Sequence, residues 1–291
     1  MAKERFTSVK SYQFRETPKS VRIAFQVLKY VFLVICCLVV LIPLVIVLLG
    51  SLKTGTEYLQ SNVFALPEVP QFSNYVTAFT KGHVLLGLAN TFFIEIVSCF
   101  GTIITGTMTA FVLQRFSMLY TKIVKAIFLV VALLPSISMQ VTVFQIVNAM
   151  GLHDNYLAPI LMYIGTDIVS IQIFMQFLDN ISVSLDESAF LEGCSYPRVY
   201  WSIILPMLRP AIATVLVIKF VGIYNDFYTA NLYIPHHETV STALYNFIGP
   251  YGAQWEVIFA GIVICIIPTL IIFLALQKSI YSNLVSGSVK E

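Results

Sequence analysis

Charge is the scarcest commodity in this 291-residue chain. Asp, Glu, Lys and Arg make up 11% of it, against about 25% in soluble domains, while hydrophobic residues reach 58%. That balance excludes a soluble globular fold. The net charge of +2 is concentrated in the first 29 residues, where it suits anionic lipid and topology rather than nucleic acid. Cysteine is equally uninformative: Cys36, Cys37, Cys99, Cys194 and Cys265 are scattered, four of them in apolar stretches, without C-x-x-C spacing. Neither a disulfide framework nor a metal-ligand cluster is indicated. The chain also lacks G-x-x-x-x-G-K-[ST], H-E-x-x-H and G-x-S-x-G, and with them the common phosphate-binding, zinc-hydrolase and serine-nucleophile chemistries. No low-complexity tract and no internal repeat is present, and the missing repeat weighs against transporters built from duplicated halves.

What the chain does have is apolar runs long enough to cross a bilayer, which takes about 20 residues each. They fall at Tyr30 to Gly50, Leu88 to Leu113, Ala126 to Val147, Tyr156 to Leu178, Ala211 to Ile234 and Val257 to Gln277. The predicted fold is therefore all-α, a six-span transmembrane domain over residues 30–277, between a basic leader (1–29) and a tail (278–291). Six crossings put both termini on one side. The leader, the Gln114 to Lys125 loop, the 179–209 loop and the tail hold 14 of the 17 Lys and Arg residues, so those segments are assigned to the cytoplasm. The first run is too long, and its basic leader too extended, for a cleaved secretory signal; it reads as a retained anchor. Pro43, Pro135, Pro159 and Pro268 lie in or beside spans, where neighbours can satisfy the carbonyls they free. Thr102, Gly106 and Ala110 form a small-residue ridge for close helix packing.

Residues 179–209 interrupt this pattern with a polar insert that carries E-x-A-x3-G-x9-I-x-L-P: Glu187, Ala189, Gly193, Ile203, Leu205 and Pro206. Ser184 and Glu187 have capping-box spacing, which predicts a helix from about Leu185 that stops at Gly193 in a left-handed conformation. Pro197 suits the first turn of a second helix, Arg198 to Leu205, which Pro206 and Pro210 should interrupt. The expectation is a helical hairpin with Ala189, Phe190 and Tyr196 as an apolar knob near its tip.

The insert resembles the cytoplasmic coupling loop (the EAA loop) of permease subunits of binding-protein-dependent ABC importers. The likeness covers most of the chain and is similar to the smaller permease of maltose-type importers: Ser51-Leu52-Lys53, Asn74-Tyr75, Asn90-Thr91, Leu134-Pro135, Gly151-Leu152 with Asn155, Asn225-Asp226-Phe227 and Gly287-Ser288-Val289-Lys290 recur in order. Ser188, Glu192, Tyr224 and Ala110-Phe111 depart from the family pattern. The resemblance implies a type I importer permease with ATPase-coupling residues Glu187, Ser188, Ala189, Glu192 and Gly193. It implies no cofactor in this chain, with ATP and Mg on two partner ATPases, and as further partners a second homologous permease, an extracytoplasmic solute-binding protein, lipid and a sugar. The location implied is a bacterial cytoplasmic membrane. Catalysis by this chain is not expected.

Four ionisable residues fall inside spans, Glu95, Asp167, Lys219 and Asp226, where each costs about 2.5 to 3.5 kcal/mol or more unless paired or wet. Lys219 and Asp226, seven apart, would share one face of a continuous fifth helix; Lys219 either pairs with Asp167 or meets substrate. Asp226 is flanked by Tyr224, Asn225, Phe227 and Tyr228, planar polar and aromatic groups that suit sugar recognition. Tyr224, Asn225, Asp226 and Tyr228 are therefore candidate pathway residues, with interhelical pairing as the alternative for Asp226. The rival functions are a stand-alone secondary transporter or channel with Asp226, Asp167 and Lys219 as an ion relay, and a membrane scaffold. His236, His237 and Glu238 read as solvated surface rather than a metal site.

Overall fold

A computed structural model describes residues 19–165, 167–249 and 252–288. Most of the basic leader, and Val289 and Lys290 of the C-terminal motif, lie outside the described residues. Helix α1 (Lys19–Ser51) is apolar on every side from Tyr30 onward, and its most apolar window buries nothing against the rest of the chain. It touches the body near its end, where Gly50 lets the Phe259 ring approach: a Cβ there would sit 2.5 Å from Phe259 Cδ2.

Short helices α2 (Gly55–Gln60) and α3 (Ser73–Lys81) follow. Two of the motifs that carry the family likeness meet here. Ser51 Oγ and Tyr75 OH are 2.7 Å apart, and the Asn74 amide donates to the carbonyls of Ser51 and Lys53. Lys53 is fully buried, and its ammonium donates to Ser61 Oγ and the Asn62 carbonyl at 2.9 and 2.8 Å. These are anchoring bonds, since a buried ammonium without acceptors would be costly.

Helix α4 (Val84–Arg115) is the central pillar. Small residues let its neighbours close in: a Cβ on Gly106 would lie 3.0 Å from the Phe174 ring, so this part of the predicted ridge is a packing surface. The third predicted span is not one helix. It divides into α5 (Leu119–Ala132) and α6 (Ser136–Ala149), 14 residues each, at Leu133 to Pro135. Pro135 has no N–H to continue the ladder and disfavours helical backbone at the residue before it. The fourth span is α7 (Leu157–Gly165) followed by α8 (Ile168–Asp179).

The polar insert forms α9 (Ser184–Leu191), then α10 (Tyr196–Val199), a π turn over Tyr200–Ile204 and the short α11 (Leu205–Met207). The chain bends by 69° into α12 (Arg209–Tyr224). The interruption expected of Pro206 and Pro210 thus falls between them, while Pro206 itself stays inside the helical run. The wider π turn just before it accommodates the missing donor and the ring, and the break comes at Leu208. The predicted continuous fifth span also breaks: α12 stops at Tyr224 and α13 runs Phe227–Tyr233. Lys219 and Asp226 consequently do not share a face of one helix. After α14 (Val240–Ala243), a 3-10 turn and a two-residue hairpin (β1 Ile248–Gly249, β2 Gly252–Ala253), α15 (Trp255–Ser288) closes the bundle.

Among the described residues four helical segments are long and apolar enough to cross a membrane, or five if the bent pair Tyr196–Met207 with Arg209–Tyr224 counts as one. The sequence pattern counted six; the two breaks account for the difference. The largest core joins α4, α8 and the insert through Phe111, Phe174, Leu178, Ala189, Tyr200 and Ile204. The insert is therefore packed onto the bundle end rather than hanging from it.

Candidate functional site

The insert is a hairpin whose turn is set by one residue. Gly193 has φ +84, and its N–H closes on the Phe190 carbonyl while Cys194 N–H reaches Ala189. That left-handed position suits glycine best, with asparagine next among common residues. The predicted capping box does not form: Ser184 lies inside α9 with Val183 as N-cap, and the Ser182 hydroxyl accepts from Ser184 N–H instead. The Ser188 hydroxyl donates to the Ser184 carbonyl.

Orientation of α9 separates the family residues. Ala189 is buried in the core, and one turn earlier, on the same face, so is Asp186. Arg115, in the last turn of α4, holds that carboxylate at 2.6 Å with both side chains under a tenth exposed, and donates a second bond to the Ile181 carbonyl at 3.0 Å. Burial pushes the Asp186 carboxyl above the usual carboxylate range, and Arg115 pulls it back only in part. The Gln114 amide donates to Asp179, and Lys125 donates to Gln114, completing the seat.

Glu187, Ser188, Glu192 and Gly193 face outward. The predicted knob is different from expectation. Phe190 meets Tyr196 edge-on at 4.6 Å and Tyr196 packs tilted against Phe116 at 5.2 Å, so these rings pack the hairpin to itself and to the body. The most exposed apolar residue of the hairpin is Leu191, 91% exposed and one turn on from Glu187, while Tyr196 is only half exposed. Sequence reasoning missed Leu191, Arg115 and Asp186; the i, i+3 relation of Asp186 to Ala189 was the available signal.

The candidate pathway residues surround the break between α12 and α13. Tyr224 is buried, stacks on Phe220 at 5.8 Å and donates to the Cys265 carbonyl at 2.7 Å. Asn225 is exposed and caps α12. Together with Ser241, Thr269, Leu270 and Phe273, Tyr224 and Asn225 line a groove of about 470 Å³, within the size range of small-molecule sites. Tyr228 is 74% exposed and does not line it. Asp226 turns elsewhere: Oδ1 accepts from Thr229 N–H at 2.9 Å and Oδ2 from the Tyr163 hydroxyl at 2.8 Å.

The profile of binding-protein-dependent transport system inner membrane components matches residues 15–285. The chain belongs to that family. This permease is similar to the "Probable starch degradation products transport system permease protein AmyC" of Thermoanaerobacterium thermosulfurigenes, 32% identical over 259 residues, 86% of this chain and 91% of that one. It is 28% identical to the "Galactooligosaccharides transport system permease protein GanQ" of Bacillus subtilis, covering 90% of this chain and 94% of the relative. Its fold matches a chain in the crystal structure of a bacterial ABC transporter involved in the import of the acidic polysaccharide alginate, with a TM-score of 0.78 at 23% identity over 90% of this chain and 98% of that one. The permease is thus a non-enzymatic, multi-pass membrane subunit of an ABC importer, working with ATP-binding subunits and a solute-binding protein.

At the other end of the permease, the loops are tied together by polar pairs. His83 and Glu238, and His236 and Asp154, each approach to 3.0 Å; Asn90 donates to the Glu238 carbonyl and accepts from Tyr156. Desolvation of Asp154 is outweighed by its His236 hydrogen bonds together with the charges of His236 and His237, which hold its carboxyl below the usual range. Val240 N–H donates to Thr91. The family-like Asn90-Thr91 pair therefore anchors the α13–α14 connection. Among the described residues no cluster of three His, Cys, Asp or Glu could hold a metal.

Proposed function

We propose that this permease imports a sugar or oligosaccharide, forming half of a translocation pathway with a second, homologous permease and coupling it to two cytoplasmic ATPases. Six crossings fit the chain if α5 with α6 and α12 with α13 each make one broken span, since irregular backbone is tolerated at membrane depth where protein or a wet cavity covers it. The termini and the hairpin then face the cytoplasm, as the positive-inside count requires. ATP and Mg belong to the partner subunits, and this chain needs no cofactor of its own.

The observation that carries the coupling role is the hairpin's two-sided construction. Its inner face, Asp186 and Ala189, is clamped to α4 and α8, and its outer face presents Glu187, Ser188, Leu191, Glu192 and Gly193. A rigid seat with an exposed polar and apolar edge transmits a push in both directions. ATP-driven closure of the ATPases would move α9, and through its seat the ends of α4 and α8, switching access to the pathway.

Carbohydrate as substrate rests on the relatives' starch-product and galactooligosaccharide names, and on a groove that offers Asn225, Ser241 and Thr269 beside the Tyr224 and Phe273 rings. Sugars present hydroxyls and C–H faces at once, which such a lining matches. Tyr228, exposed beyond it, and Asp226 at the break complete the proposed pathway set. The test is uptake by the complete complex in proteoliposomes, with binding protein outside and ATP inside, against a panel of labelled sugars. ATP-dependent accumulation of one of them is expected; uptake that persists without ATP or without the binding protein would overturn the assignment.

A further inference from the structure

We propose that Lys219 and Tyr163 are positioning residues that lock together the breaks in the fourth and fifth membrane segments, so that the two segments bend as one unit; the use in transport rests on the reading above. The two breaks are built alike. Between α7 and α8 the N-cap is Asp167, whose Oδ1 accepts from Ser170 N–H at 3.2 Å. Between α12 and α13 the N-cap is Asp226, whose Oδ1 accepts from Thr229 N–H at 2.9 Å. In each, one carboxylate oxygen starts the following helix and the second oxygen is left for another partner.

Those second oxygens are taken crosswise. Lys219, on α12 before the second break, brings its ammonium to Asp167 Oδ2 at 2.9 Å, just past the first. Tyr163, on α7 before the first break, donates its hydroxyl to Asp226 Oδ2 at 2.8 Å, just past the second. The ring closes because the Lys219 ammonium also donates to the Tyr163 carbonyl at 2.6 Å. Ser241 adds a bond to the Asp226 carbonyl, tying in the first turn of α14.

The consequence is mechanical. If the first break opens alone, Lys219 must part from either Asp167 or the Tyr163 carbonyl, and losing Asp167 would leave two side chains, 13% and 10% exposed, as unpaired charges in the bundle; if the second opens alone, the Tyr163–Asp226 bond is lost. If both breaks move together the ring survives. This also reassigns the intramembrane ions: Lys219 answers Asp167, and Asp226 answers a neutral phenol.

The experiment uses the complete complex in proteoliposomes and reads sugar imported per ATP hydrolysed, with the melting temperature of the assembled complex alongside. Tyr163→Phe keeps the ring and removes one bond; the pair Lys219→Met with Asp167→Asn opens the other side without stranding a charge. Each is expected to assemble and to lower the import-to-ATP ratio about five-fold or more, the scale of a coupling free energy. Joining all three changes should add little, because the ring is already open. A native ratio in Tyr163→Phe, or losses that multiply independently, would overturn the proposal. Should the unmodified complex show no ATP-driven uptake, the transport reading falls, and the ring is decided by melting temperature: sub-additive shifts support it and additive shifts refute it.

Discussion

Replacing Arg115 with methionine should unseat the α9 hairpin while leaving the bundle intact. The structure sets the scale. Arg115 and Asp186 are 8% and 6% exposed and 2.6 Å apart, so solvent screens the pair little, and the same guanidinium also holds the Ile181 carbonyl. Removing one partner of a buried pair costs about 3 to 5 kcal/mol, because the other charge stays buried alone. For α9 that translates into a local opening equilibrium shifted by about two to three and a half factors of ten. Amide hydrogen exchange reads this directly: protection across residues 184–191 in the assembled complex should fall by at least about a hundred-fold, with α4 amides little changed.

Two features make this more than a generic destabilisation. Burial already outweighs Arg115 and holds Asp186 above the usual carboxylate range, so the intact pair adds little net stability, and Arg115→Met with Asp186→Leu should recover much of the lost protection. The pH dependence has a definite sign. In Arg115→Met the Asp186 carboxyl, freed of the cation, binds a proton more tightly in the seated than in the unseated state. The seat is therefore strongest at low pH and weakens as pH rises through the range between the two pKa values, so the deficit should shrink on going from about pH 8 to about pH 5. Exchange in α9 that stays within about three-fold of the parent at neutral pH would refute the reasoning.

Gly193→Val should lower import and stimulated ATPase activity without affecting insertion. No atom lies within 4 Å of a Cβ there, so the cost is backbone strain at φ +84, about 1 to 2 kcal/mol, and Gly193→Asn should largely spare function. In a cysteine-free background, single cysteines at Ser117 or Ser195 should resist an impermeant thiol reagent in intact cells while those at Ser73 or His236 label. Labelling of Ser195 from outside would invert the topology. Asp226→Asn should assemble normally, because asparagine caps a helix as well as aspartate and still accepts from Tyr163, whereas Asp226→Ala should cost about 1 kcal/mol in cap alone and lower the melting temperature of the complex. Asn225→Ala should raise the KM for the imported sugar with kcat little changed if the groove binds substrate; an unchanged KM would remove Asn225 from the pathway.

The hairpin was largely legible in the sequence because its decisive residues encode backbone geometry. Gly193 demands a left-handed turn and Pro197 a helix start, and neither depends on what lies nearby. Which side of α9 faces the body depends on α4 and α8, so the acid that does the clamping, Asp186, was hidden beside its motif neighbour Glu187. Its partner Arg115 lies 71 positions earlier, and nothing local links them. The serine cap failed for a smaller reason: Ser182 sits two residues ahead of Ser184 and supplies the oxygen first.

The fifth segment shows where hydropathy misleads. Averaged over 20 residues, Ala211 to Ile234 is apolar and reads as one helix, and the seven-residue spacing of Lys219 and Asp226 then places both on one face. Yet Asn225-Asp226 is itself a strong local signal, since both residues prefer caps and turns to helix interiors. Once the cap forms, the helical phase restarts at Phe227, and no spacing argument survives across it. The same local rule places Asp167 at the start of α8. An intramembrane aspartate that caps a helix needs only one oxygen for the task, so its second oxygen must find a donor in a medium that offers no water. The Tyr163 hydroxyl donates to that oxygen of Asp226 and the Lys219 ammonium pairs with that of Asp167, and for that reason the charges of this span read as hinges before they read as an ion relay.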